Sequence, residues 1–364
     1  MKKLIIILII INIVMSVLSI NSFAFEIDMD EVWDEVDGQT KDYLEDLGIT
    51  EISFNELFDL TPTRVFEFLI DLAFDTGFQI FKNVFIVIAI LFILSISSAF
   101  LKENDKVEKI IYFIGVLTIL SVVIVPISRM LTDTATGIKT STVFVNSYIP
   151  VMTAIIVASK NPGLAITYNS FSIFLSSLIS TVADKFFIPC ISAMLSFNIL
   201  SSFSFESYRE RIISGFRRII VVLLALFSTV YTGLLTTQSI LASSSDSLAL
   251  RGIKFISGAF VPVVGAGVGD ALSSVFSSFL IMKNTLGVFV IIVIILINLP
   301  VMIELLVWYF SLQICSVVSS MLGVNNITDV LDGLSSLISL LNIILFFITF
   351  VLVISTGVII MMGK

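Results

Sequence analysis

Apolar residues run through this chain in long blocks separated by short polar stretches. A bilayer's hydrocarbon core is about 30 Å thick, and a helix needs about twenty apolar residues to cross it. Blocks of that kind lie at 84–101, 110–128, 164–183, 186–205 and 219–242, with another starting near Leu286 and one ending near Met361. A less apolar stretch at 143–159 carries a proline and is a further candidate. As one helix, Leu286 to Leu322 would measure on the order of 55 Å, too long for one straight crossing, so a break at Pro300 is expected. The pattern predicts an all-α, polytopic membrane body over 84–364 with seven to nine spans and no linker dividing it.

Ahead of the first block the pattern changes twice. Residues 1–24 carry two lysines, a long apolar core and then Ser22-Phe23-Ala24. This is the layout of a signal peptide cleaved before Phe25, although the apolar core is also long enough for an uncleaved first helix. Residues 25–83 read as short helices on the extracytoplasmic side. Thr40 and Gly48 bound one of them, and Ser53-Phe-Asn-Glu56 has the spacing of a capping box for the next. Thr61-Pro62 opens a third, which Gly77 is expected to close. On this third helix Glu67, Asp71 and Asp75 form an acidic stripe, while the other faces are apolar. Such a helix suits a bilayer surface or a partner better than open water.

Composition sets the class. Of 364 residues, 57% are hydrophobic and only 13% charged, with a mean hydropathy of +1.10. No soluble domain of this size hides so much apolar surface. The charge is uneven, with sixteen acids against three bases between Phe25 and Asn83, and fifteen bases against twelve acids afterwards. An acidic ectodomain argues against nucleic-acid binding. There is no histidine, which excludes His-based zinc sites and Ser-His or Cys-His nucleophiles. Cys190 and Cys315 sit in apolar runs and read as small buried hydrophobes. Nothing points to a cofactor or a metal.

Orientation follows from the loop ESYRERIISGFRR. Its Arg209, Arg211, Arg217 and Arg218 form the densest basic cluster and belong on the cytoplasmic side. With residue 83 outside, this requires 143–159 to cross as well. It also places Lys102, Lys106 and Lys109 inside.

The stretch SGAFVPVVGAGVGDALSS, residues 257–274, admits three readings. A phosphate loop is excluded, because no glycine precedes Lys-Ser or Lys-Thr and no GxGxxG is present. Gly267-Val-Gly269-Asp270 matches the short motif of intramembrane aspartyl proteases, which need a second aspartate. Asp184 and Asp246 are the membrane-side acids on offer, and neither has the expected setting. The third reading uses more residues. Pro262, after Phe260-Val261, starts a helix on which Gly265, Gly269, Ser273 and Ser277 form one small face for close helix packing. Asp270 then faces a partner or a wet cavity, and Glu304 is either a functional intramembrane acid or a residue at a kink or interface beside Pro300.

Phe260-Val-Pro-Val-Val-Gly265, Asp270-Ala271 and Lys283-Asn284-Thr285-Leu-Gly287 together resemble the stage III sporulation protein AE family, from about residue 60 to the end. Met321-Leu322-Gly323 stands where the family is expected to have Pro-Leu-Gly. The resemblance implies a non-enzymatic membrane subunit of a sporulation channel, or secretion-like complex, linking mother cell and forespore. It implies a secretion-type ATPase, ring-forming membrane proteins and lipid as neighbours, and the mother-cell membrane around the forespore as location. A small-solute permease is the main rival.

Overall fold

The computed structural model describes residues 29–100, 105–159, 162–203, 214–233 and 265–361. The signal segment lies outside these residues, as do Arg209, Arg211, Asp246, Phe260 and Pro262. The described residues are helical and contain no strand. Three short helices come first: α1 (Asp30–Asp34), α2 (Gly38–Asp46) and α3 (Phe54–Phe58). The long ones follow: α4 (Pro62–Phe100), α5 (Asp105–Ala158), α6 (Pro162–Val182), α7 (Ile188–Ser201), α8 (Ser214–Gly233), α9 (Gly265–Met321) and α10 (Asn325–Met361).

The short helices begin and end for reasons the spacing only partly predicts. Asp37, not Thr40, caps α2, accepting from the Thr40 amide at 3.1 Å and its hydroxyl at 2.8 Å. Gly48, at φ 81°, ends the helix as expected. The capping box at Ser53 does not form. Glu56 instead reaches back to the Thr50 amide at 2.7 Å, the Thr50 hydroxyl at 2.9 Å and the Glu51 amide at 3.1 Å. Three donors outweigh the single amide a capping box offers. The two backbone amides, Thr50 first, and then the hydroxyl hold the Glu56 carboxyl below its ordinary range. Their support is therefore present at neutral pH and lost only as pH falls through that lowered value.

The predicted breaks are absent. Gly77 does not close a helix, because α4 runs through it and through residues 83 and 84 to Phe100. Its buried stripe of Gly77, Ile80, Val84, Val87, Leu91 and Leu94 keeps helical spacing across the glycine. That packing overrides a propensity penalty of about 1 kcal/mol. The candidate spans 110–128 and 143–159 are two parts of α5, which contains both Pro126 and Pro150. The polar stretch between them stays helical because Met130, Thr134, Ile138, Ser141 and Thr142 continue one buried stripe. The candidates 164–183 and 186–205 are likewise joined, by a π-helical turn at Ala183–Phe187. That turn precedes Pro189 and accommodates its missing N–H and its ring. No break occurs at Pro300, which lies inside α9.

Six stretches of described helix are long and apolar enough to cross a membrane. Joining two pairs of candidates leaves the parity unchanged, so the ends still fall as the arginine cluster requires. The ends of α4, α7 and α9 meet the starts of α5 and α10. There the Tyr112 hydroxyl donates to Ser202 O at 2.8 Å and the Ser95 hydroxyl to Leu322 O at 3.0 Å. Gly323, at φ 75°, turns α9 into α10. Val324 N–H bonds back to Ser319 O at 3.0 Å, a closure that needs the left-handed residue. Lys109 lies in the first turns of α5, beside this junction. Arg217 and Arg218 follow Phe216, which packs on Phe197 near the end of α7. This is the basic end.

Helix α9 is central, packing on α10, α5 and α4 and carrying α2 and α3 on its flank. Near the other end its Gly287 lets the helices close up, because a Cβ there would strike the Ile360 side chain and touch Met152 at 3.8 Å. We expect Gly287→Leu to destabilise the bundle by about 1–3 kcal/mol, as overpacking does. Gly357→Leu, placed in open space, should leave the thermal midpoint in detergent nearly unchanged. Equal midpoints for the two variants would contradict this packing.

Candidate functional site

About twenty residues beyond the basic end, or about 30 Å along a helix, the apolar surfaces are interrupted by charge. The interruption recurs at one height as Asp75 on α4, Arg129 and Asp133 on α5, Asp184 and Lys185 in the π turn, and Glu304 on α9. Cross-links between helices fix the register. The Asn298 amide donates to the Ser141 hydroxyl at 2.7 Å, and the Ser176 hydroxyl donates to Thr142 O at 3.2 Å. Stepping from these pairs toward the basic end brings Glu304 and Asp184 level with Asp133.

Within this belt lies a cavity of about 530 Å³. Asp75, Thr76 and Gln79 of α4, Arg129, Asp133, Thr136 and Thr140 of α5, and Pro300 and Glu304 of α9 line it. Asp37, Gln39 and Tyr43 of the acidic segment also line it and tie that segment to the membrane body. Arg129 Nε sits 3.4 Å from Asp133 Oδ2, one turn apart on α5. Both carboxylate oxygens of Asp37 are used in capping α2. Tyr43 is held by the Gln39 amide at 2.8 Å and by the edge of Phe68. Glu304 is half-buried, with Arg129 and Asp133 as its charged neighbours. Carboxylates outnumber guanidinium, so the cavity's field favours water and cations over anions. Among the described residues no three carboxylates converge as metal ligands do.

The predicted site residues are dispersed. Glu304 reaches the cavity, and Pro300 beside it forms part of the wall rather than a kink that ends the helix. Trp308 is buried. Gly265, Gly269, Asp270 and Ser273 lie on the first turns of α9, and Ser277 is exposed. Asp270 stands more than thirty residues from Glu304 along α9, on the order of 50 Å, so Asp184 at the belt is not brought to it. The stretch Lys283-Asn284-Thr285-Leu-Gly287 is the packed part of this region, with Lys283, Thr285 and Gly287 buried. Arg217 and Arg218 are exposed at the basic end. Sequence reasoning missed Arg129 and Asp133 as site residues. Their signal was an ion pair at i, i+4 inside the polar stretch that divides two apolar runs.

The helices and the belt define a multi-pass helical membrane protein with a polar cavity roofed by an acidic segment. Comparison with known proteins narrows the class. The family model for stage III sporulation protein AE matches residues 39–363, and the chain belongs to that family. A curated relative, the stage III sporulation protein AE of Bacillus subtilis (strain 168), is 24% identical over 268 residues. The alignment covers 72% of this chain and 67% of the relative. No solved structure matches.

A wet, negative cavity makes a direct prediction. In a chain lacking Cys190 and Cys315, Thr136→Cys should react with charged thiosulfonate reagents, faster with a cationic one than an anionic one. Glu304→Gln should narrow that difference, and Val123→Cys, in the buried core, should not react. A faster anionic reagent would contradict the assigned field.

Proposed function

We propose that this sporulation membrane protein is a subunit of a channel or secretion-like complex joining mother cell and forespore. In this reading it sits in the mother-cell membrane with the acidic segment facing the forespore. One observation carries the reading. The helical body is about twice as tall as a bilayer requires, and its far half bears the acidic segment. A small-solute permease needs height only across the hydrocarbon, with its site near the midplane. A subunit of an apparatus between two membranes needs structure that stands beyond one of them. A secretion-type ATPase at the basic end and ring-forming proteins at the far end fit this arrangement. The chain itself acts by assembly rather than by catalysis.

The permease reading has one observation in its favour. Between the cavity and the basic end, the Gln313 amide donates to the Ser335 hydroxyl at 2.7 Å and the Ser316 hydroxyl donates to Asp332 at 2.5 Å. These pairs give the α9–α10 interface a polar seam below Glu304. The two readings part in reconstitution. The purified chain should move no small solute in liposomes. In sporulating cells Glu304→Gln should still co-purify with partner subunits and support near-normal spore counts, whereas Gly269→Leu should insert in the membrane, lose the partners and block sporulation. Saturable flux by the chain alone, abolished by Glu304→Gln, would overturn the subunit reading. A dead Asp270→Asn beside a normal Gly269→Leu would favour a protease.

A further inference from the structure

Among the described residues, the half of the bundle beyond the belt carries an exposed seam. On α6, Ile166, Ser170, Ile173 and Ser177 are all exposed, and the series continues through Thr181 to Asp184. The steps of four and three are those of a coiled-coil seam, with serines allowing close approach. Ile166 is 70% exposed and Ile173 50%.

Charge at the same height argues against lipid on this seam. The acidic segment packs along the same half, with Trp33 stacked on Phe289 at 5.6 Å and Glu35 accepting from the Ser147 hydroxyl at 3.2 Å. Its Asp30, Glu31, Asp34, Asp42 and Glu45 are exposed. A carboxylate in hydrocarbon costs several kcal/mol, so that height of the bundle stands clear of the bilayer. About 30 Å of hydrocarbon is already filled between the basic end and the belt. Exposed isoleucines beyond it need a protein cover.

We propose that the cover is a second copy of this chain, docked α6 against α6 about a two-fold axis normal to the membrane. That axis makes the two α6 helices parallel and in register, which the seam's spacing suits. It also brings the belts to one height. Asp184 and Lys185 are adjacent, exposed and of opposite sign, so each aspartate meets the other copy's lysine reciprocally. An unrelated partner would have to match both the seam and this mixed pair. The proposal rests on helix length, exposure and charge, and it stands whether or not the channel reading holds.

The test uses the full chain without Cys190 and Cys315, in lipid nanodiscs and in mild detergent. Single cysteines at Ser170, Ile173 and Ser177 should form intermolecular disulfides on oxidation, whereas Leu117→Cys, on the membrane-facing surface of α5, should not. Native mass should read a dimer, and Ile173→Glu should weaken self-association by about tenfold or more while helicity and membrane insertion persist. Asp184→Lys should also weaken it, and adding Lys185→Asp should restore it, a rescue that misfolding does not produce. A monomeric mass in both media would overturn the proposal. So would cross-linking at Leu117 equal to that at Ile173, or an Ile173 cysteine that is captured in cells only by a different protein.

Discussion

Hydrocarbon about 30 Å deep can cover only about half of helices that run on the order of 60–80 Å. Every other feature of this protein is arranged around that mismatch. Between the basic end and the belt, many exposed side chains are ones lipid accepts, among them Phe85, Phe92, Phe113, Ile114, Phe310 and Ile314. At the belt, charge appears on several helices at once. Beyond it, a segment rich in exposed carboxylates lies against the same helices. A membrane seated higher would submerge those carboxylates and the Arg129–Asp133 pair, whereas one seated at the basic end meets fewer charges, Lys82, Asp329 and Asp332, and the Ser316 hydroxyl holds Asp332.

The belt then explains where polar chemistry gathers. Two buried polar pairs above it tie helices together, Asn298 with Ser141 at 2.7 Å and Tyr148 with Thr356 at 2.9 Å. These pairs hold α5, α9 and α10 in register and leave the open polar volume at the belt itself. Roofed by Asp37 and Tyr43, the cavity couples the acidic segment to three of the long helices. Movement of that segment would therefore be felt at Glu304 before it reached the membrane-crossing half.

Much of this was legible from the residues alone, and the failures share one cause. Apolar blocks located the helices because that signal depends on local composition, and the arginines of the 209–218 loop supply the orientation proposed for them. Breaks were expected at Gly77, at the polar stretch around Asp133, at Asp184–Lys185 and at Pro300. Each expectation assumed that polar or helix-breaking residues mean a turn at a membrane surface. With the membrane seated at the basic end, they mark the height at which continuous helices leave the lipid. The stripe from Ile80 to Leu94 and the stripe from Met130 to Thr142 carry the backbone through, and only tertiary contact reveals that. The cavity was half legible. Glu304 stood out as an acid in an apolar run, but Asp75, Asp133 and Arg129 are distant in sequence and meet only once helix heights are known. At Glu56, a capping box was readable in the spacing, yet the carboxylate found more donors at Thr50 and Glu51.

The height of the membrane on this bundle is the claim on which the rest depends. Spin labels placed singly at exposed positions along α5, from Phe113 through Leu117 and Val125 to Val143 and Val157, measure it directly in nanodiscs. Collision with oxygen reports hydrocarbon, and collision with a water-soluble nickel chelate reports water. The account predicts oxygen access at Phe113, Leu117 and Val125, a reversal at Arg129–Asp133, and no hydrocarbon signature at Val143 or Val157. A lipid signature continuing unbroken from Phe113 to Val157 would contradict it.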